Sequence, residues 1–257
     1  MKQIITERLK LIEEENNIRI LFACESGSRA WGFESPDSDY DVRFIYVRPR
    51  TEYLRLEETR DVLEFPINDD LDINGWDLDK TLRLLHSSNP ALYEWLASPV
   101  IYRTSQTADS IRELIASNYS YKKMLYHYLH MAKGNFRTYL KEDMVIAKKY
   151  LYVIRPLLAA KWIIEKNELP PMRFTELVNE VLPERLLPYI NDILEIKVTH
   201  KEAYRVPRND NLNSFIESSI IEIENYVENM PKDSYMLWEG LNNLFLSVLN
   251  ESGNNAK

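Results

Sequence analysis

The sequence predicts an α+β protein: a small mixed sheet with helices over residues 1–104, an all-helical region over 105–250, and a frayed tail at 251–257. Three observations carry this. The spacing of apolar residues changes from a period of two to a period near 3.6 at Asp77, the switch from pleated strand to helix. Four of the six glycines lie in the first 134 residues, an uneven placement that sets the two halves of the chain apart in kind. The composition, 45% apolar and 28% charged, is that of a globular chain, too apolar for disorder and too charged for a membrane span.

Taken in order, Ile4, Ile5, Leu9, Leu11 and Ile12 recur among charges and predict an amphipathic helix over 3–16. Ile18 to Cys24 is a short apolar run that breaks at Gly27, as a strand does. Asp39 to Val47 alternates polar and apolar residues and is rich in Val, Ile, Phe and Tyr, again a strand. Asp61–Pro66 and Leu71–Trp76 make two more, separated by an Asn68-Asp69-Asp70 turn. Leu78, Leu82, Leu84 and Leu85 then begin the helical period, and Asn89-Pro90 is a start signal for the helix holding Leu92, Trp95 and Leu96. Residues 105–166 read as long helices, as do segments near 173–181, 184–197, 211–230 and 231–249, punctuated by prolines.

Several function classes fall away. No stretch approaches the roughly 18 apolar residues of a spanning helix, and the charged N-terminus lacks the apolar core of a secretory signal. The lone Cys24 forms no intramolecular disulfide and no thiolate cluster, so the expected compartment is cytoplasmic, with no membrane partner. The four histidines show no zinc-type spacing. A net charge of −8 argues against broad electrostatic capture of nucleic acid, while leaving room for a local basic groove.

The chemistry is concentrated in residues 21–46. A strand ends at Gly27-Ser28, and after ten intervening residues Asp39-Tyr40-Asp41 opens the next strand. Alternation puts Asp39 and Asp41 on one face and Tyr40 and Val42 on the other. Two carboxylates side by side repel unless a cation joins them, and Mg²⁺, which prefers hard oxygen ligands together with substrate phosphates, is the natural one. A Gly-Ser turn can aim backbone N–H groups and a hydroxyl at a triphosphate. A third carboxylate would complete a two-metal site, one ion activating a hydroxyl and the other stabilising departing pyrophosphate. Asp72 and Asp77 both qualify by spacing.

This pattern, Gly27-Ser28, then Asp39-x-Asp41, then Asp72 between apolar residues, resembles the nucleotidyltransferase superfamily of DNA polymerase beta. The strings ESGSRAWGF, SDYDVRFIY, DINGWDL, SNPALYEWL and KKYLYVIRPLLAAKW are similar to one family within it, the RlaP or YcgL-like predicted nucleotidyltransferases. The resemblance implies a minimal nucleotidyltransferase fold followed by a helical domain. It implies that Gly27 and Ser28 cradle the triphosphate, that Asp39 and Asp41 bind the metals, Mg²⁺ or Mn²⁺, and that Asp72 is the third carboxylate and candidate general base. The implied activity is transfer of a nucleoside monophosphate from an NTP to an RNA end, a protein side chain or a small-molecule hydroxyl. The family's association with RNA repair raises the RNA acceptor; the net charge gives it no support. The alternative is a nucleotide-binding or protein-interaction module that keeps the fold without turnover, against which Asp39, Asp41 and Ser28 are all intact.

Around this core, Arg29 either reaches a phosphate or pairs with a surface acid, and Arg43, on the face of Asp41, either touches the nucleotide or neutralises the Asp pair. Glu25 is a candidate to orient Arg29 or Arg43, a choice that spacing does not decide. Trp31, Trp76 and Trp95 read as packing residues. Farther on, Lys148, Tyr152 and Arg155 fall at i, i+4 and i+7 on a helix, and with Lys149 form a basic and aromatic stripe suited to the charge of triphosphate and pyrophosphate.

Overall fold

A computed structural model of the chain describes residues 1–67, 70–200, 203–231 and 238–254. Asn68 and Asp69 of the expected turn, residues 232–237 of the expected 231–249 helix and residues 255–257 of the tail lie outside the described residues. The chain divides into two compact units. One comprises Met1–Ala30, Asp39–Tyr119 and the C-terminal helix; the other comprises Trp31–Ser38 and the segment from Ser120 through Pro231. The division thus falls after Tyr119, not after residue 104, and the last helix belongs with the sheet.

The first unit is built on five strands: β1 (Arg19–Glu25), β2 (Tyr40–Val47), β3 (Val62–Glu64), β4 (Leu71–Asp77) and β5 (Ile101–Arg103). They lie in the order β3-β4-β2-β1-β5, with β2 and β4 parallel and the other neighbours antiparallel. The interior strand β1, flanked by β2 and β5, is buried along Ile20–Glu25, which is why its sequence is a continuous apolar run instead of an alternating one. Helix α1 (Lys2–Asn16) buries Ile5, Leu9 and Ile12 in one core with Val42, Phe44, Tyr46 and Ile73, and Asn17, in the left-handed region at φ 51°, ends it. Because side chains alternate along β2, Asp41 and Arg43 face away from that core. Gly75 of β4 lies opposite Phe44 of β2, where a Cβ would sit 2.2 Å from the ring.

Helix α2 (Gly27–Trp31) follows β1 directly. Helix α3 (Leu78–His86) is capped by Asp77 and buries Leu78, Leu82 and Leu85. Helix α4 (Pro90–Leu96) starts at Asn89, whose side chain accepts from the Ala91 N–H at 2.9 Å, as the Asn-Pro signal predicts. Helix α5 (Gln106–Asn118) completes the unit together with the C-terminal helix Trp238–Asn254. That last helix sets Phe245 edge-on to Tyr53 and stacks Trp238 on His86.

The second unit holds α6 (Tyr121–Tyr139), α7 (Lys149–Lys166), α8 (Phe174–Val181), α9 (Leu187–Thr199) and α10 (Asp210–Asn229). Helix α7 is apolar nearly all round, from Tyr150 to Ile163, and is accordingly the buried helix of this unit. The expectation of an all-helical region needs one correction: β6 (Met144–Ile146) and β7 (Arg205–Pro207) form a two-stranded antiparallel ladder. Three residues are too few for a period of two to declare itself, so the sequence gives no sign of it.

Candidate active site

The site is assembled by register. In the parallel pairing of β2 with β4, Asp41 stands beside Asp72, and Tyr46 beside Asp77. Asp72 is therefore the carboxylate adjacent to Asp41, while Asp77 lies five residues farther along the strand, about 16 Å at the strand rise. Arg43 joins the adjacent pair. Its Nη2 lies 2.9 Å from Asp41 Oδ1 and 2.7 Å from Asp72 Oδ2. Its Nη1 donates to the Asp72 carbonyl at 2.9 Å and the Val42 carbonyl at 3.2 Å. Of the two readings for Arg43, neutralisation of the Asp pair is the contact observed. Asp39 sits just ahead of β2 and is exposed. Its carbonyl accepts from Arg29 Nε at 3.2 Å, and the Arg29 guanidinium lies 3.8 Å above the Tyr40 ring.

The Gly27 turn is pressed against Asp41. Gly27 has φ +59°, and a Cβ there would lie 2.0 Å from Asp41 Oδ2. Ser26 N–H donates to the Asp41 carbonyl at 2.8 Å. From behind, the Asp41 N–H donates to Glu25 Oε1 at 2.8 Å, Tyr102 Oη donates to Glu25 Oε2, and Ser98 Oγ donates to the Glu25 carbonyl at 2.6 Å. Glu25 thus holds the Asp41 backbone; Tyr102, on the unanticipated strand β5, is the residue the sequence reading missed. Ser28 is half-buried on α2, one residue past the contact.

Burial raises the Asp41 pKa above the ordinary carboxylate value; Arg43 pulls it down, and Asp72 and Asp39 push it up again. Glu25 is raised chiefly by burial, against which its hydrogen bond from Tyr102 works.

Asp77 has a separate occupation. Its Oδ1 accepts from the Asp79 N–H and from Tyr53 Oη, each at 2.9 Å, and its Oδ2 lies 3.3 Å from Arg48 Nε. It caps α3. The tryptophans pack, as expected: Trp76 stacks on Trp95 at 3.6 Å.

The basic stripe belongs to the second unit. Lys148 is buried, lining a small pocket with Ser35, Asp37 and Lys197. Lys149 Nζ lies 4.5 Å from the Tyr139 ring and 5.1 Å from the Tyr152 ring. Arg155 is buried, 4.5 Å over Trp31, and Trp31 also meets Tyr152 edge-on. Trp31 arrives on the inserted segment Trp31–Ser38, whose Phe33 packs edge-on to Phe174.

Among the described residues no three His, Cys, Asp or Glu side chains are grouped as a metal cage. The Asp41–Asp72 pair nonetheless suits one divalent cation in charge and donor type, because two hard carboxylate oxygens already share a single cationic nitrogen at 2.9 and 2.7 Å. Among the described residues no helix is long and apolar enough to cross a membrane.

Comparison with known proteins places the chain in a family. The uncharacterized protein YcgL of Bacillus subtilis (strain 168) is 44% identical over 253 residues, covering 98% of this chain and 97% of that protein. A crystal structure of a nucleotidyltransferase-like protein from Exiguobacterium sibiricum 255-15 aligns over 96% of this chain and 80% of its own, with 12% identity and a TM-score of 0.31, too loose a likeness to argue from. The profile of RlaP, the RNA repair pathway DNA polymerase beta family, matches from residue 1 to residue 247. With the match running through both units and every motif quoted above, the chain belongs to the RlaP family of DNA polymerase beta-like proteins.

Proposed function

We propose that the protein is a metal-dependent nucleotidyltransferase that moves a nucleoside monophosphate from an NTP to an acceptor hydroxyl and releases pyrophosphate. The observation that carries the reading is the in-register pair Asp41 and Asp72 with the Gly27 turn packed on Asp41. In the proposed roles Asp41 and Asp72 hold Mg²⁺ or Mn²⁺, and Asp39 enters as the further metal ligand named by the sequence pattern. When bound, the ion offsets the negative charge of the triphosphate and of the leaving pyrophosphate. Gly27 and Ser28 present backbone N–H groups and a hydroxyl to phosphate oxygens, and Gly27 permits the close approach that any side chain would block. Arg29 and Arg43 supply positive charge on the same unit, and Asp72 is the proposed base for the acceptor hydroxyl. Lys148, Lys149 and Arg155 enter the proposal as a source of positive charge read from the sequence, with Tyr152 as the aromatic member of the stripe. The family's description makes an RNA end the first acceptor to test.

Calorimetry with each NTP in Mg²⁺ tests the reading. Asp41→Asn and Asp72→Asn are expected to lose most of the affinity and Asp77→Asn to keep it; equal affinity in wild type and Asp41→Asn would sink the assignment. A screen of RNA, protein and small-molecule acceptors with labelled NTP then identifies the acceptor.

A further inference from the structure

We propose that Arg43 is a resident counter-cation of the Asp41–Asp72 pair, competing with a divalent ion for the same carboxylate oxygens. The proposal takes the metal from the nucleotidyltransferase reading, but it concerns Arg43 and is tested without turnover.

The geometry is specific. One nitrogen, Nη2, serves both carboxylates, and the other, Nη1, serves two main-chain carbonyls of the same pair of strands. The side chain is 17% exposed, against 27% and 30% for its two acids. A guanidinium so placed relieves the repulsion of two neighbouring, partly desolvated carboxylates, and it fixes their facing oxygens. A divalent ion approaching those oxygens meets a like charge. Displacing Arg43 leaves a partly buried cation without its anions, which is costly unless a new anion replaces them. The planar fork of arginine suits a phosphate, so the replacement anion is the phosphate of an incoming ligand. Metal and phosphate ligand then bind as a coupled pair, each raising the affinity for the other.

Mn²⁺ binding, read from the loss of the free-ion electron paramagnetic resonance signal, measures the competition directly. Arg43→Met removes the charge at similar length, and Arg43→Lys keeps the charge but not the fork, so it guards against a Met variant that fails to fold. Wild type is expected to bind Mn²⁺ alone weakly and more tightly with ATP present. Arg43→Met is expected to bind Mn²⁺ alone about tenfold more tightly or better, from loss of the like charge, with Arg43→Lys between. Adding Asp41→Asn to Arg43→Met should abolish the gain. Thermal unfolding should show the same order in stabilisation by Mn²⁺. If neither folded variant binds Mn²⁺ more tightly than wild type, Arg43 is not a competitor and the inference is overturned. Failure of the nucleotidyltransferase reading shows elsewhere, as the absence of NTP binding to wild type, and leaves the Mn²⁺ comparison readable.

Discussion

At the scale of single residues, Gly27 and Asp41 constrain one another. Gly27 has φ +59°, and its missing Cβ is the space occupied by Asp41 Oδ2, only 2.0 Å from where that Cβ would stand. Gly27→Ala therefore imposes a strained backbone and displaces a carboxylate that Arg43 holds in place, on a residue whose backbone N–H is bonded to Glu25. The expected cost is about 1–3 kcal/mol for the backbone strain, together with loss of Mg²⁺-nucleotide affinity. Urea unfolding and calorimetry on the same preparation check both. A stable variant with undiminished affinity would show that Asp41 yields without consequence. The same residues mark the limit of what alternation can tell. The common face of Asp41 and Arg43 follows from a period of two, whereas the choice of Asp72 over Asp77 needs the register of β2 against β4, which no local pattern encodes. Glu25 and Tyr102 meet through strand pairing across 77 residues of chain, and a sequence read locally has no means of joining them.

At the scale of elements, the two ends of β4 have different duties. Its N-terminal half carries Asp72; its C-terminal end becomes the cap of α3 through Asp77. Asp77→Asn retains a cap acceptor for the Asp79 N–H but turns an amide toward Arg48, donor against donor. Stability should fall by about 1–3 kcal/mol, the cost of an unsatisfied buried group, measured by denaturant unfolding. Burial raises the Asp77 pKa above its unfolded value, with Arg48, Tyr53 and the Asp79 N–H opposing. A raised carboxyl contributes stability below the unfolded pKa and loses it as pH rises through the folded one. The stability difference between wild type and Asp77→Asn should thus move in favour of wild type as pH falls through that window; a flat or opposite slope would contradict the burial effect. In the middle of β4, Gly75→Ala would drive a methyl to 2.2 Å from the Phe44 ring. Overpacking of that kind costs about 1–3 kcal/mol, and the unfolding midpoint should drop with little change in nucleotide affinity. Most long elements were legible because amphipathic spacing is sustained, as in α1 and α3. The ladder of β6 with β7 and the strand β5, each three residues long, were not, since pairing partners distant in sequence define them.

At the scale of the whole molecule, both units are discontinuous in sequence, and this decides how the chain tolerates cutting. The segment Trp31–Ser38 leaves the sheet unit between the Gly27 turn and Asp39 and packs Trp31 and Phe33 among the helices of the second unit, while Trp238–Asn254 belongs to the first. The C-terminal helix buries Leu241, Val248 and Leu249, meets Tyr53 and His86 through Phe245 and Trp238, and takes a hydrogen bond from Arg50 to Asn250 at 3.1 Å. At about 1.5–3 kcal/mol for each fully buried aliphatic side chain, those three side chains alone represent a large share of the marginal stability of a domain. A chain ended after residue 237 is therefore expected to lose stability in the sheet unit, although every proposed site residue is still present. Hydrogen exchange locates the loss: protection should fall in α3 and around Arg50–Leu54 while the interior of α7 keeps its own, because α7 draws its buried contacts from the other unit. Unchanged protection in α3, or equal loss in both helices, would contradict the assignment of the C-terminal helix to the sheet unit.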